Sequence, residues 1–307
     1  MRIVCIGQAA FGEAVLRKLT ETGEEVVAVY APPHSAGKRD PLRELAIQKG
    51  IAIFQPGSMR VPEVYEEHKK LKPDLNVMAF VTSILPDSIL DYPRLGTIQY
   101  HPSLLPKHRG GSAINWAIIN GETKTGVTTF YINERIDTGE IILQDKTAIH
   151  SDEKAGALHD RLMLLGAKLV LKTVALIQKD KVQPIVQLET GQLKAAPKIH
   201  RDTCKIDWTD SALLIYNKIR GLSPYPASWT NFYNPDKPTM LKVYKAAYRE
   251  EGHSHDPGRL LLKDGHLEVA VPDGYITLQE IQISGKKKMT VKEFLNGHQI
   301  DNLAKLG

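Results

Sequence analysis

The residues best suited to chemistry lie in one stretch: Gln99-Tyr100-His101-Pro102-Ser103-Leu104-Leu105-Pro106, then Arg109-Gly110-Gly111, and one strand later Ile136-Asp137-Thr138-Gly139. A histidine at the end of a β-rich run, a proline-braced loop behind it and a carboxylate on a second glycine-containing loop are what proton transfer near an acyl carbon requires. Beside such a base a carboxylate can orient the imidazole, fix its tautomer and stabilise the imidazolium form. Gln99 lies two residues before His101 on the same strand, so both side chains share a face, and its amide can donate to a developing oxyanion. A lone histidine is ordinarily a hydrogen-bonded core residue, and an Asp on a turn ordinarily caps it. His101, however, falls at the carboxyl end of a strand, where open α/β sheets place their ligand crevices.

The elements that must position these residues are legible in the pattern. β-rich runs alternate with helical ones: Arg2–Ile6 then Phe11–Thr20, Val26–Ala31 then Leu42–Lys49, Ile51–Phe54 then Glu63–Lys70, followed by Leu75–Phe80 and Thr97–Gln99. That alternation predicts a Rossmann-like α/β domain with a mostly parallel sheet and helices on both faces. Gly126–Asn133 and Ile141–Ala148 read as an antiparallel pair joined by the Asp137 loop. Ser151 reads as the N-cap of a helix running to about Lys179, with Leu158, Leu162, Leu165 and Leu169 at helical spacing. A polar, basic stretch from Gln192 to Lys205 reads as a linker. Beyond it, one helix over Ser211–Arg220, about five short strands and a last helix from Val291 to Leu295 predict a small β-barrel-like domain of the oligonucleotide-binding (OB) type. The expected division is 1–185 catalytic domain, 186–204 linker and 205–307 C-terminal domain.

Composition excludes little but directs the search. A net charge of +5 over 307 residues suits a polyanionic partner, yet the basic residues are spread along the whole chain. Two cysteines, Cys5 and Cys204, give neither a disulfide framework nor a metal motif, and read as structural thiols in a reducing compartment. The fold begins at Met1 with no leader pattern, and no apolar run approaches the ~20 residues that span a bilayer, so a cytoplasmic protein without membrane contact is expected. Gly7-Gln8-Ala9-Ala10-Phe11-Gly12 follows the first strand but lacks GxGxxG spacing, and no acidic residue ends the second strand. A tight strand-to-helix turn is the better reading than a nicotinamide site.

The run Gln99 to Pro106 with Arg109-Gly110, Ala113-Ile114-Asn115-Trp116, Gly121, Thr125-Gly126-Val127-Thr128 and Asp137-Thr138-Gly139 closely resembles the folate-dependent formyltransferases. Ala196-Pro197-Lys198, Lys205-Ile206-Asp207-Trp208, Ile219 to Pro226 and Gly285-Lys286-Lys287 resemble the linker and C-terminal domain of the branch that formylates methionyl-tRNA. The resemblance implies His101 and Asp137 as the catalytic pair, with Gln99 as oxyanion donor. It implies 10-formyltetrahydrofolate as co-substrate, held by Ser83, Ile84 and Leu85 and by the Asp137 loop, with Ser103, Leu104, Leu105 and Pro106 shaping the wall. No metal is implied.

Two departures stand out. Gln99 occupies a position where the family usually has Asn, and the added methylene moves the amide by over ~1 Å, a displacement that can cost ~100-fold in rate. The loop from Pro32 to Leu42 is shorter and less basic than its counterpart in tRNA formyltransferases, retaining only Lys38, Arg39 and nearby Arg43. Both features, with the N-terminal half, resemble the hydrolase module of 10-formyltetrahydrofolate dehydrogenase. The resemblance over both domains nevertheless implies formyl transfer to the α-amino group of initiator methionyl-tRNA, with phosphate contacts from Lys38, Arg39, Arg43, Lys194, Lys198, Lys286 and Lys287. Hydrolysis to formate and transfer to an amino-sugar nucleotide stand as alternatives, and a monomer is expected.

Overall fold

The computed structural model describes residues 1–33, 39–81, 85–188, 193–234 and 238–307. These fall into two compact units, neither of them continuous in sequence. One comprises Met1–Gly110, Thr125–Thr147 and Asp160–Ala195; the other comprises Gly111–Lys124, Ala148–His159 and Ala196–Gly307.

The first unit alternates strand and helix: β1 (Arg2–Gly7), α1 (Ala9–Glu21), β2 (Glu25–Tyr30), α2 (Pro41–Gln48), β3 (Ala52–Phe54), α3 (Pro62–Leu71), β4 (Leu75–Ala79), α4 (Asp87–Leu90) and β5 (Thr97–His101). Helix α5 (Ala113–Ile119), part of the second unit, intervenes in sequence, then β6 (Lys124–Tyr131), β7 (Ile141–Ala148) and the long α6 (Ala155–Gln178), whose first residues also fall in the second unit. The sheet order is β3-β2-β1-β4-β5-β6-β7. Strands β1 to β5 pair in parallel, and β6 runs antiparallel to β5. Ile3, Val4, Cys5 and Ile6 are all buried, as a central parallel strand covered on both faces requires. Asp40 caps α2 by accepting from the Leu42 and Arg43 amides, and Pro41 occupies the first turn, where its missing N–H costs nothing. The order reverses between β1 and β4, so the carboxyl ends of those strands flank the fold's natural crevice.

The expected parallel sheet is present, and Gln99 and His101 lie two residues apart on β5. The long helix does not start at Ser151. Residues 151 and 152 form a turn, and Glu153 returns its carboxylate to the His150 amide at 3.2 Å, so the helix begins at Ala155.

In the second unit a short 3-10 turn (Asp202–Cys204) precedes α7 (Ala212–Leu222), capped by the Ser211 hydroxyl on the Leu214 amide. Then follow β8 (Ser228–Tyr233), β9 (Thr239–Glu250), β10 (Leu260–Lys263), β11 (His266–Val271), β12 (Gly274–Ile283), β13 (Met289–Thr290), α8 (Val291–Gly297) and β14 (Lys305–Leu306). The order β10-β11-β12-β9-β8-β14, with β13 on β12, makes seven strands rather than about five. Strands of two to four residues carry too few alternations to register in sequence. A bridge from Arg259 to Lys305 brings the two ends of the sheet together, which removes exposed edges as a barrel must. Its core packs Trp208, Ile215, Val243, Val269, Ile276 and Phe294.

Cys5 and Cys204 are both buried free thiols. Burial pushes Cys5 up to about 12 and raises Cys204 as well, so both stay protonated and inert.

Candidate active site

Strand β5 delivers His101 to the carboxyl edge of the sheet, and the β6–β7 connection delivers Asp137. Both side chains are buried, Asp137 at 9% exposure, and a carboxylate that deep must be compensated. Its Oδ2 accepts from the Gly110 amide at 2.8 Å and lies 3.6 Å from His101 Nδ1. His101 Nε2 donates to the His108 carbonyl at 2.9 Å. Because a carbonyl only accepts, the Nε2 proton is committed, and Nδ1, facing the carboxylate, is the nitrogen that exchanges protons. At 3.6 Å the pair is too long for a direct hydrogen bond, a spacing often seen before substrate closes a site. Gln99 is half-buried on the same strand face as His101.

Local backbone chemistry explains why these residues stand where they do. Asp137 is left-handed at φ 53°, a conformation Asp tolerates better than bulkier residues. Gly139 passes so close to the Tyr131 carbonyl that any Cβ would overlap it, which closes the β6–β7 turn tightly behind Asp137. The loop after His101 is pinned by Thr128, whose hydroxyl donates to the Ser103 carbonyl (2.7 Å) while accepting from the Leu105 amide (3.1 Å) and the Gln144 amide (2.9 Å). Gln144 also donates to the Leu105 carbonyl at 2.8 Å, and Ser103 donates to the Lys107 carbonyl at 2.6 Å. Leu105 packs with Phe130 and Ile141; Leu104 and Pro106 are half-buried.

Along the same edge, a cavity of about 440 Å³ opens at the ends of β1, β2 and β4, lined by Gly7, Gln8, Pro33, Met59, Arg60 and Phe80 among others. Phe80 is left-handed at φ 57° and 47% exposed. It contacts Phe11 (5.9 Å between ring centroids), which stacks on Tyr100 at 5.5 Å. An aromatic row therefore joins the cavity rim to the strand that carries His101. Burial raises the Tyr100 phenol well above its ordinary range, which keeps it neutral.

A family model described as formyl transferase matches residues 1–174, and one described as formyl transferase, C-terminal domain, matches residues 198–299. The chain belongs to the formyltransferase family. A methionyl-tRNA formyltransferase of Flavobacterium johnsoniae is 40% identical over 313 residues, covering 100% of this chain and 99% of that protein. One from Bacteroides thetaiotaomicron is 38% identical over 315 residues, covering 98% and 97%. Among solved structures, an N-formyltransferase from Helicobacter canadensis in complex with folinic acid and dTDP-3-aminofucose gives a TM-score of 0.69 at 19% identity, covering 90% of this chain and 97% of that one. HypX from Aquifex aeolicus in complex with tetrahydrofolic acid gives 0.66 at 20% identity over 98% of this chain and 48% of its own, so this chain spans about half its length. Such low identities establish a shared fold.

The remaining expected positions of this formyltransferase are placed as follows. Ser83, Ile84 and Lys38 lie outside the described residues. Leu85 is buried in the apolar core with Val4, Ile6 and Ile89. Arg39 is 91% exposed and 3.8 Å from Glu44, while the Arg43 guanidinium donates to Gln55 at 3.3 Å. Lys194 in the first unit, and Lys198, Lys286 and Lys287 in the second, are exposed. Among the described residues no group of three or more His, Cys, Asp or Glu side chains is placed to hold a metal ion, and no helix is long and apolar enough to cross a membrane. Sequence reading named Thr128 only as part of a family motif, without a role, and missed Gln144, His108 and Gln187. Each acts through a main-chain carbonyl, which any residue supplies, and only the period-2 placement of Thr128 opposite His101 hints at such a role.

Proposed function

We propose that the chain transfers the formyl group of 10-formyltetrahydrofolate to the α-amino group of initiator methionyl-tRNA, as a monomer. The observation that carries this reading is likeness to methionyl-tRNA formyltransferases over both domains, at 40% identity and full coverage of each chain. The His101–Asp137 geometry supports the chemistry. The amine attacks the formyl carbon, a C–N bond forms, and the carbonyl oxygen takes up negative charge. Gln99 donates to that oxyanion. His101 Nδ1 accepts the proton leaving the amine, Asp137 stabilises the imidazolium, and the proton passes to the departing folate nitrogen as its C–N bond breaks. Ile136, 70% exposed beside the buried Asp137, offers an apolar face suited to an aromatic ring system of the folate. The cavity beside Phe80 is of ligand size and takes the aminoacyl end of the acceptor.

A single-turnover experiment tests this reading, with 10-formyltetrahydrofolate present and methionyl-tRNA added or withheld. Tetrahydrofolate release that requires the tRNA and matches formyl-methionine one for one is expected. Release with formate in the absence of tRNA would replace the transferase with a hydrolase.

A further inference from the structure

One buried polar residue is unexplained by the catalytic triplet. Gln187 is 8% exposed, yet its neighbours Val186 and Leu188 are 63% and 69% exposed. The segment thus turns two aliphatic side chains to solvent and buries an amide. Such an inversion of ordinary burial needs strong polar compensation, and it is found. Gln187 Nε2 donates to the Asp137 carbonyl at 3.0 Å and to the Gly139 carbonyl at 2.8 Å. Gln187 Oε1 accepts from Arg109 Nε at 3.1 Å and Nη2 at 2.8 Å. Every hydrogen-bonding position these four contacts occupy serves one of two loops. One carries Asp137; the other, immediately after Arg109, carries the Gly110 amide that holds the Asp137 carboxylate.

We infer that Gln187 is a positioning residue for catalysis, a clamp whose amide locks the Asp137 loop to the Arg109–Gly110 loop and so sets the carboxylate's distance from His101. The inference rests on the proposed formyl transfer for its kinetic readout, but its geometric content does not. The two faces of the amide are not interchangeable. The donor face meets two carbonyl oxygens and the acceptor face meets a guanidinium, so only a side chain with both a donor and an acceptor at this length satisfies the site. Without it, the Asp137 and Gly139 carbonyls lose this donor and the Arg109 fork loses this acceptor, and the left-handed backbone at Asp137 is released to relax. A carboxylate displaced by ~1 Å is enough for a ~100-fold loss in rate.

The test is a double-mutant cycle with Gln187→Met, which keeps length and volume, and Asp137→Asn, supplemented by Gln187→Glu. Gln187→Met is expected to lower kcat ~10- to 100-fold with the KM for folate and tRNA within ~3-fold, and Gln187→Glu, which turns an acceptor toward two carbonyls, to lose more. In the Asp137→Asn background, adding Gln187→Met should cost less than ~3-fold, because its effect passes through a carboxylate already removed. Amide hydrogen exchange supplies a readout independent of activity: Gly110 N–H should exchange faster in Gln187→Met while β1 and β4 amides keep their protection. A loss of equal size in both backgrounds, a kcat unchanged by Gln187→Met, or unaltered exchange at Gly110 would each overturn the clamp. If the wild type releases tetrahydrofolate without tRNA, the transferase reading fails, and the same cycle run on that release still decides the clamp. If the wild type turns over no folate at all, the Gly110 exchange alone decides it.

Discussion

Two halves of one sheet edge are built on opposite lines. At the ends of β5, β6 and β7, polar side chains are buried and tied: Thr128, Gln144, Gln187 and the Gly110 amide leave the His101 and Asp137 loops little freedom. At the ends of β1, β2 and β4, the edge instead holds a cavity of about 440 Å³ walled by prolines, Met59, Arg60 and an exposed Phe80. In the proposed reaction the two halves divide two tasks. Proton transfer requires fixed distances, and hydrogen-bonded loops supply them. An acceptor must enter and leave, and a concave, largely apolar wall with a few polar groups suits that.

The largest test of this division is His101→Ala, expected to lower kcat/KM by ~10³- to 10⁴-fold, a loss carried by kcat, as general acid–base removal usually does. Gly139→Ala comes next: a Cβ overlapping the Tyr131 carbonyl forces the turn behind Asp137 open, and activity should drop ~100-fold with the barrel domain unaffected. Thr128→Val keeps shape but removes a hub of three hydrogen bonds, so a stability loss of about 1–3 kcal/mol in chemical denaturation is expected, with kcat down ~10-fold. On the cavity side the kinetic effect should move from kcat to KM. Phe80→Ala should raise the KM for the acceptor ~10-fold through loss of a stacking surface and leave kcat within ~3-fold. A Phe80 variant that lowered kcat alone would erase the distinction between the two regions.

The last effect concerns stability and leaves the chemical step untouched at neutral pH. His68 is fully buried beside Tyr30 and Tyr92, and among the described residues neither ring nitrogen has a hydrogen-bond partner. Burial lowers it to about 4. The unfolded chain, with its histidine near ~6.5, binds the proton first, so stability is full above pH ~6.5 and falls as pH drops toward about 4, by up to ~1.4 kcal/mol per unit. His68→Leu should remove that slope in pH-dependent denaturation.

Much of this was legible beforehand. The parallel sheet followed from alternation of β-rich and helical runs, and so did the places of Gln99 and His101 on one strand and of Asp137 on a turn; their proposed catalytic roles rest on the family resemblance as well. The start of α6 was misplaced because Ser151 has the chemistry of a cap, whereas Glu153 closes the turn instead. Short strands β10, β13 and β14 pair through the backbone and leave almost no side-chain pattern. The loop-binding residues stayed hidden for a related reason: Gln187 recognises carbonyls, which every residue has, so nothing in its partners' identity announces the contact.

The most direct test of the central claim, that the chemistry resides in the His101–Asp137 pair, is the single-turnover rate of formyl-methionyl-tRNA formation in Asp137→Asn at saturating folate and tRNA. The account predicts a chemical step slowed by ~10³-fold or more, as when a triad carboxylate is neutralised, with both dissociation constants unchanged. A chemical step within ~3-fold of the wild type would contradict it.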